Sequence, residues 1–425
     1  MTRGVKIPKC KKDSITEKII KYSKPKFVYI PLICQNDINI TVLVKSGDYV
    51  CKGDVIARKR GNFRIPIHAS VSGKVTSIIE KPYLNGSLVK CVVIENDFKE
   101  KISSKIVPRK HINDYTKEEF IDKIRDAGIV GLGGGGFPTF AKYDTDSKIK
   151  TLIVNAIECE PYIAADYMLL QEKCEEILEA IDAIIEINDI PEAIIAINRG
   201  NTKTREIINT FIGTYLKIKL VEVPNLYPMG WERTLIKEIK GITYNHIPAE
   251  QGIIVNNVST IYAVYEALKY DKPLIERVIT ITGEMIKEPQ NILVRTGTPV
   301  KEIIESIGGY KRFKDIYLIA GGPMMGAAMD SDELVSSPNL TGIVVNRNNV
   351  KQEAIECLRC GKCVNVCPAK LSPVLIMNGL ESPEKLKHLR PEKCVECGLC
   401  SYICPSKIKV RDFVIEAKNV NRKER

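Results

Sequence analysis

The chain has 425 residues, 44% hydrophobic and 27% charged, a composition that supports several buried cores and excludes wholesale disorder. Apolar runs such as AIDAIIEINDIPEAIIAI are broken by acids within a few residues, which excludes a span of the roughly 18 apolar residues a membrane helix needs. The net charge of +11 sits at the ends: residues 1–26 hold nine Lys/Arg against two acids, residues 351–425 hold fifteen against nine, and 27–350 come to −2.

Basic ends around a neutral body suit an acidic partner or an anionic membrane surface met peripherally. No aromatic-interleaved basic patch or nucleic-acid motif is present, so nucleic acid is not expected as a partner. The opening MTRGVKIPKCKKD has no apolar stretch behind its basic residues, so it does not read as a secretory signal and a cytoplasmic chain is expected. In that setting the fourteen cysteines are expected to be reduced. Eight of them form two repeats, and Cys10, Cys34, Cys51, Cys91, Cys159 and Cys174 stand singly.

After the basic segment 1–26, the stretch VLVKSGDYVCKGDVIARKRGNFRIPIHASVSGKVTSI alternates apolar and polar residues. Gly-Asp turns are predicted at 47–48 and 53–54, and another turn at Ser72-Gly73. It resembles the barrel-sandwich hybrid fold of lipoyl and biotinyl carriers. Lys59 is a conceivable arm, but no Met-Lys or Asp-Lys carrier signature stands there and an unmodified fold is expected.

TKEEFIDKIRDAG predicts a helix opened by a Thr116/Glu119 capping box, striped by Phe120, Ile121 and Ile124 and ended by Gly128. GIVGLGGGGFPTFAKY follows. Gly131, Gly133 and Gly136 satisfy G-x-G-x-x-G, but the loop follows a helix where the dinucleotide fingerprint requires a strand. With Gly134 and Gly135, five of six positions are glycine, which lets bare backbone approach a flat or phosphorylated ligand.

Strand-like and helix-like segments then alternate: TLIVNA before DYMLLQEKCEEILEAIDAII, EAIIAIN before a helix opened by Thr202, KIKLVEV before GWERTLIKEI, and GIIVNN before STIYAVYEALKY. Such units predict a mostly parallel sheet that binds ligands at the carboxyl ends of its strands. Asn155, Glu158, Glu160, Asn256 and Asn257 fall at those ends.

CLRCGKCVNVCP and CVECGLCSYICP close the chain, each with the spacing C-x2-C-x2-C-x3-C-P. In two-cluster ferredoxins the fourth cysteine of such a run ligates the other cluster. One 4Fe-4S cluster is therefore expected on Cys357, Cys360, Cys363 and Cys404, and a second on Cys394, Cys397, Cys400 and Cys367. Zinc knuckles do not use a third cysteine at this interval.

GLGGGGFPTFAKY, VNAIECEPYIAADY, YPMGWERTLI, VNNVSTIYAVYEA and GGPMMG, followed by the two cysteine repeats, together resemble the RnfC family over residues 27–415. That family is the peripheral NADH-handling subunit of the Rnf ferredoxin:NAD oxidoreductase, and the central region is also similar to the NADH-binding flavoprotein subunit of respiratory complex I. The resemblance implies an α/β multidomain chain: a barrel-sandwich hybrid over 27–100, an FMN/NADH-binding α/β domain over 110–272, an SLBB β-grasp module over 273–335, a two-cluster ferredoxin-type helical domain over 345–415 and a basic tail over 416–425.

It further implies that Gly131, Gly133, Gly134, Gly135, Gly136, Phe137 and Lys142 cradle FMN and the nicotinamide nucleotide. Asn155, Glu158 and Glu160 would line that site, and Asn256, Asn257 and Thr260 the flavin side. The implied partners are other Rnf subunits and ferredoxin, on the cytoplasmic face of a membrane. Soluble relatives that feed a proline reductase or a cobalamin supply the alternative, a soluble NADH dehydrogenase serving a reductase or corrinoid. A non-catalytic cluster scaffold is a further alternative. The chain departs from the family where the usual GGIHP-like opening and QHIG motif are replaced by MTRGVKIPKC and by Gln35-Asn36-Asp37-Ile38. Within YPMGWE, Met229 and Trp231 replace a Gln and a Gly, and Ile157 stands where complex I has an acid.

Overall fold

A computed structural model describes residues 4–423 except 23, 36, 110, 313–314 and 349–352. Met1–Arg3 and Asn36, which belong to the two departures at the N-terminal end, thus lie outside the described residues.

The central domain follows the predicted β–α alternation. Four parallel strands run in the order Ile218–Val223, Glu192–Asn198, Thr151–Asn155, Ile253–Asn257. Side chains alternate across a strand, so Leu152 and Val154 pack toward the helices Cys174–Ile187 and Val258–Tyr270. Ile153 points the other way, onto Leu235 and Ile236 of Glu232–Lys240. Both faces are covered, as near-continuous apolar strands require. The predicted helix 166–185 is two helices, Ala165–Glu172 and Cys174–Ile187. Lys117–Asp126 carries the expected capping box, and Gly128 follows it at φ +68. A Cβ at Gly128 would lie 2.7 Å from the Pro66 carbonyl.

Residues 27–96 fold into two antiparallel sheets, one of four strands and one of three. Gly73 lies inside the strand Gly73–Pro82 and is no turn residue. A Cβ there would come within 1.9 Å of the Glu95 carbonyl, so the glycine serves a close cross-strand approach. Lys59 is buried, donates to the Asn62 carbonyl at 2.7 Å and pairs with Asp37 at 3.1 Å, the geometry of a structural lysine.

The β-grasp unit is a six-stranded mixed sheet extending beyond 273–335. It takes in Gly342–Arg347 and, from the basic N-terminal segment, Ile20–Tyr22, which pairs parallel with Ile292–Val294. Residues nearer the start of that segment meet the central domain. Val5 exchanges backbone hydrogen bonds with Tyr227 at 2.9 Å, and Tyr162 N–H donates to the Lys9 carbonyl at 2.8 Å. The C-terminal domain is helical, from Lys362–Val366 to Val410–Lys423. Among the described residues no helix is long and apolar enough to cross a membrane.

Candidate functional site

The glycine loop is pinned at both ends and open in the middle. Gly131 N–H donates to the Phe137 carbonyl at 2.8 Å, and Gly136 N–H to the Gly131 carbonyl at 3.0 Å. Leu132, buried inside the glycine run, donates its N–H to Thr260 Oγ1 at 2.9 Å, while its carbonyl accepts from the buried Arg277 at 3.2 Å. Phe137 packs edge-on against Phe63, with ring centroids 5.4 Å apart. The N–H groups of Gly133, Gly134 and Gly135 find no acceptor among the described residues. A Cβ at Gly134 or Gly135 would meet nothing within 4 Å, whereas one at Gly136 would strike Asn339 at 2.6 Å. The result is a bare, donor-lined cradle of backbone, which fits a planar, phosphorylated group such as FMN.

The polar residues at the strand ends divide into three sets. Asn257 caps the helix Val258–Tyr270 by accepting from Thr260 N–H and donates to Asp166, which also accepts from Ser259. A Cβ at Gly133 would reach Asn257 at 3.4 Å, so this set adjoins the cradle. Glu158 accepts from the N–H groups of Asp166 and Tyr167, capping Ala165–Glu172, and lies 3.8 Å from Lys11 of the N-terminal segment. Burial raises its carboxyl above the usual range, opposed by Lys11.

Asn155 and Glu160 form the second set. Asn155 donates to the Gly230 carbonyl at 2.8 Å, and Glu160 Oε2 accepts from Met324 N–H at 3.1 Å. Glu160 Oε1 is buried with no partner among the described residues. Desolvation pushes this carboxyl up to about 7, against the pull of the Met324 and Met325 N–H groups. The third set turns inward: Lys142 donates to the Val255 carbonyl at 2.6 Å and Asn256 to the Tyr143 hydroxyl, both beside the strand rather than in the open cradle. Desolvation lowers the Lys142 pKa. Met229, one of the bulky departures, is absorbed into the core under the sheet.

The two cysteine repeats fold alike. Arg359 and Glu396 share a φ near +55, as do Lys370 and Lys407, and Gly361 and Gly398 each open a helix at positive φ. Cys367, Cys394, Cys397 and Cys400 line one cavity, the set expected from crossed ligation. They ring a space: among the described residues no three His, Cys, Asp or Glu side chains are placed to hold a single metal ion. Leu371 N–H donates to Cys367 Sγ and Glu396 N–H to Cys394 Sγ, both at 3.3 Å. Four thiols around a cavity with amides aimed at sulfur fit an iron–sulfur cluster. Burial pushes the Cys397 and Cys400 thiols up to about 12. In the other set burial raises the Cys363 pKa, opposed by the Val374 and Val364 N–H groups, and Cys360 is exposed.

The motifs YPMGWE and GGPMMG contain Tyr227 and Met324, but only the fold shows that they tie the strand-end residues to the cysteine domain. Tyr227 Oη donates to the Cys397 carbonyl at 2.7 Å across a buried contact. Met324, held by Glu160 through its N–H, accepts at its carbonyl from Arg411 at 3.1 Å. Gly398 packs on that same carbonyl, where a Cβ would come within 2.6 Å. Arg277 and Lys11 carry no sequence signal, and Asp166 sits inside VNAIECEPYIAADY without one of its own; no local pattern names a partner that lies many tens of residues away.

Comparison with known proteins tiles the chain. Residues 1–99 match the RnfC barrel sandwich hybrid domain, 124–266 the Nuo51 FMN-binding domain, 278–328 the SLBB domain and 356–408 the 4Fe-4S dicluster domain. A component of the proton-translocating ferredoxin:NAD(+) oxidoreductase complex of Clostridium ljungdahlii is 36% identical, covering 83% of this chain and 78% of that protein. Its counterpart in the Na(+)-translocating complex of Acetobacterium woodii is 33% identical over 87% of this chain and 85% of its own length. Among solved structures, a chain of an NAD+-reducing NiFe hydrogenase in its air-oxidized state superposes with a TM-score of 0.53 at 14% identity, covering 74% of this chain and 67% of that one, a likeness of fold. With relatives of this identity along most of its length, the chain belongs to the RnfC family.

Proposed function

We propose that the chain exchanges hydride with NAD(H) at an FMN held on Gly131–Phe137 and passes single electrons through two 4Fe-4S clusters. FMN, when bound, trades electron pairs with a nicotinamide and single electrons with iron–sulfur clusters, the conversion this pairing of sites demands. The observation that supports the reading is the contact between the strand-end residues and the cysteine domain: Tyr227 Oη donates to the Cys397 carbonyl, and Met324, held by Glu160, packs on Gly398.

The chain's own residues orient and insulate. The free N–H groups of Gly133–Gly135 supply donors to an anionic or carbonyl-bearing ligand. Thr260 and Arg277 fix Leu132 and with it the loop, while Asn257 and Asp166 form the polar wall beside Gly133. Asn155 and Glu160 line the side toward the cysteine domain, and Lys142 and Asn256 brace the strand from within. No side chain is assigned as general acid or base, since hydride exchange needs positioning rather than proton abstraction. Cys367, Cys394, Cys397 and Cys400 hold one cluster; Cys357, Cys360 and Cys363, completed by Cys404, hold the other.

The names of the relatives support other subunits of an ion-translocating ferredoxin:NAD oxidoreductase as partners. Ferredoxin is the electron carrier that fits, with the chain peripheral on the cytoplasmic face. Anaerobic addition of NADH to protein loaded with FMN and iron should bleach the flavin absorbance, and no bleaching would refute the proposal. Co-purification with a soluble reductase instead of membrane subunits would replace the partner assignment and leave the redox core standing.

A further inference from the structure

The two cysteine repeats are near copies, and their departure from symmetry at one half-buried position separates the two cluster sites. Seven residues after Cys404 stands Arg411; seven after Cys367 stands Val374. Val374 offers a backbone N–H to Cys363, so this position faces cluster-ligating sulfur in the first repeat. In the second repeat Arg411 turns its own N–H to Ser401 Oγ at 2.9 Å and places its side chain in the lining of the cavity shared by Cys367, Cys394, Cys397 and Cys400. Nη1 donates to the Met324 carbonyl at 3.1 Å. Nε is buried and has no partner among the described residues.

A buried N–H without an acceptor is costly unless a bound group completes it, and Arg411 lines the cavity that Cys367, Cys394, Cys397 and Cys400 share. From that geometry we infer that Arg411 is the residue that sets the reduction potential of the Cys367/394/397/400 cluster above that of its twin and so makes it the first acceptor of electrons from the flavin side. One-electron reduction adds a negative charge at the cavity, with no bond made or broken. A fixed guanidinium in the cavity lining, with one N–H free of any acceptor among the described residues, favours the reduced state. The other site has valine at the matching position and so lacks that charge. Arg411 is also tied through Met324 to Glu160, so the charge sits on the side from which electrons arrive. Arg411 is a positioning and tuning residue; it ligates no iron.

The inference rests on the reading that the eight cysteines carry two clusters, and the experiment separates the two claims. Anaerobically prepared wild-type protein should contain about eight iron atoms per chain and show two cluster signals by electron paramagnetic resonance during a dithionite titration; failure here sinks the cluster reading itself. Given two clusters, R411Q should make one of them harder to reduce by at least tenfold in its one-electron equilibrium, a fall of about 59 mV, and leave the other unmoved. R411K, which keeps the charge, should restore that midpoint to within threefold of wild type. Two unchanged midpoints in R411Q, or equal shifts in both, would overturn the assignment. Should R411Q assemble only one cluster, R411K decides alone: wild-type midpoints sustain the inference and a tenfold fall in one of them overturns it.

Discussion

Replacing Gly135 by alanine separates a ligand cradle from a structural turn. Gly135 has no left-handed φ, and a Cβ built on it meets nothing within 4 Å. G135A should therefore leave the fold as stable as wild type, or stabilise it by about 0.4–1 kcal/mol through a stiffer unfolded chain. If a flat ring rests on this backbone, the added methyl occupies contact space and overpacks the complex by about 1–3 kcal/mol. At 1.4 kcal/mol per tenfold that is a loss of about 5- to 150-fold in FMN affinity. Gly136 is the control. Its φ is +61 and a Cβ would strike Asn339 at 2.6 Å, so G136A should damage the loop even without ligand. Quenching of FMN fluorescence by flavin-free protein gives Kd, and thermal unfolding without FMN gives stability. Wild-type FMN affinity in a fully folded G135A would refute the cradle.

Three further outcomes follow from the same contacts. Crossed ligation predicts that C367S/C394S loses one cluster, from about eight to about four iron atoms per chain, while C367S/C357S loses both; equal iron in the two double variants would contradict the cross. Y227F removes the donor to the buried Cys397 carbonyl and should weaken attachment of the cysteine domain by about 1–3 kcal/mol, read as faster amide exchange over 394–404. Unchanged exchange would show the contact to be energetically idle. Glu160 has its carboxyl raised from 4.5 to about 7, so the folded chain keeps a proton that the unfolded chain gives up. Its contribution falls by on the order of 3 kcal/mol as pH rises from 4.5 to 7 and is flat above. E160Q should lack that slope, so the stability of E160Q relative to wild type should grow between pH 5 and 7.5 in denaturant titrations; parallel curves would contradict the assignment.

What could be read from the sequence was local or periodic. The Thr116/Glu119 box, the four parallel strands and the crossed partnership of Cys367 with Cys394, Cys397 and Cys400 all follow from spacing within short windows. Ser72-Gly73 misleads because glycine marks turns and close strand approaches alike, and only Glu95 opposite tells them apart. The basic segment 1–26 carries charge but no signal that Ile20–Tyr22 extends a sheet some 270 residues away. Arg411 is silent for the same reason, and YPMGWE marks Tyr227 without naming its partner: their meaning lies in Met324 and in the Cys397 carbonyl, which only folding brings near.

If one chain turns electron pairs into single electrons, NADH reduces the clusters only by way of the flavin. Rapid-freeze electron paramagnetic resonance after mixing NADH with protein carrying FMN and both clusters tests it directly. A reduced-cluster signal should grow as the flavin absorbance bleaches, and neither change should occur in a flavin-free G135A sample whose iron is intact. Cluster reduction by NADH in that flavin-free sample, or bleached flavin with clusters that stay oxidised while dithionite reduces them, would contradict it.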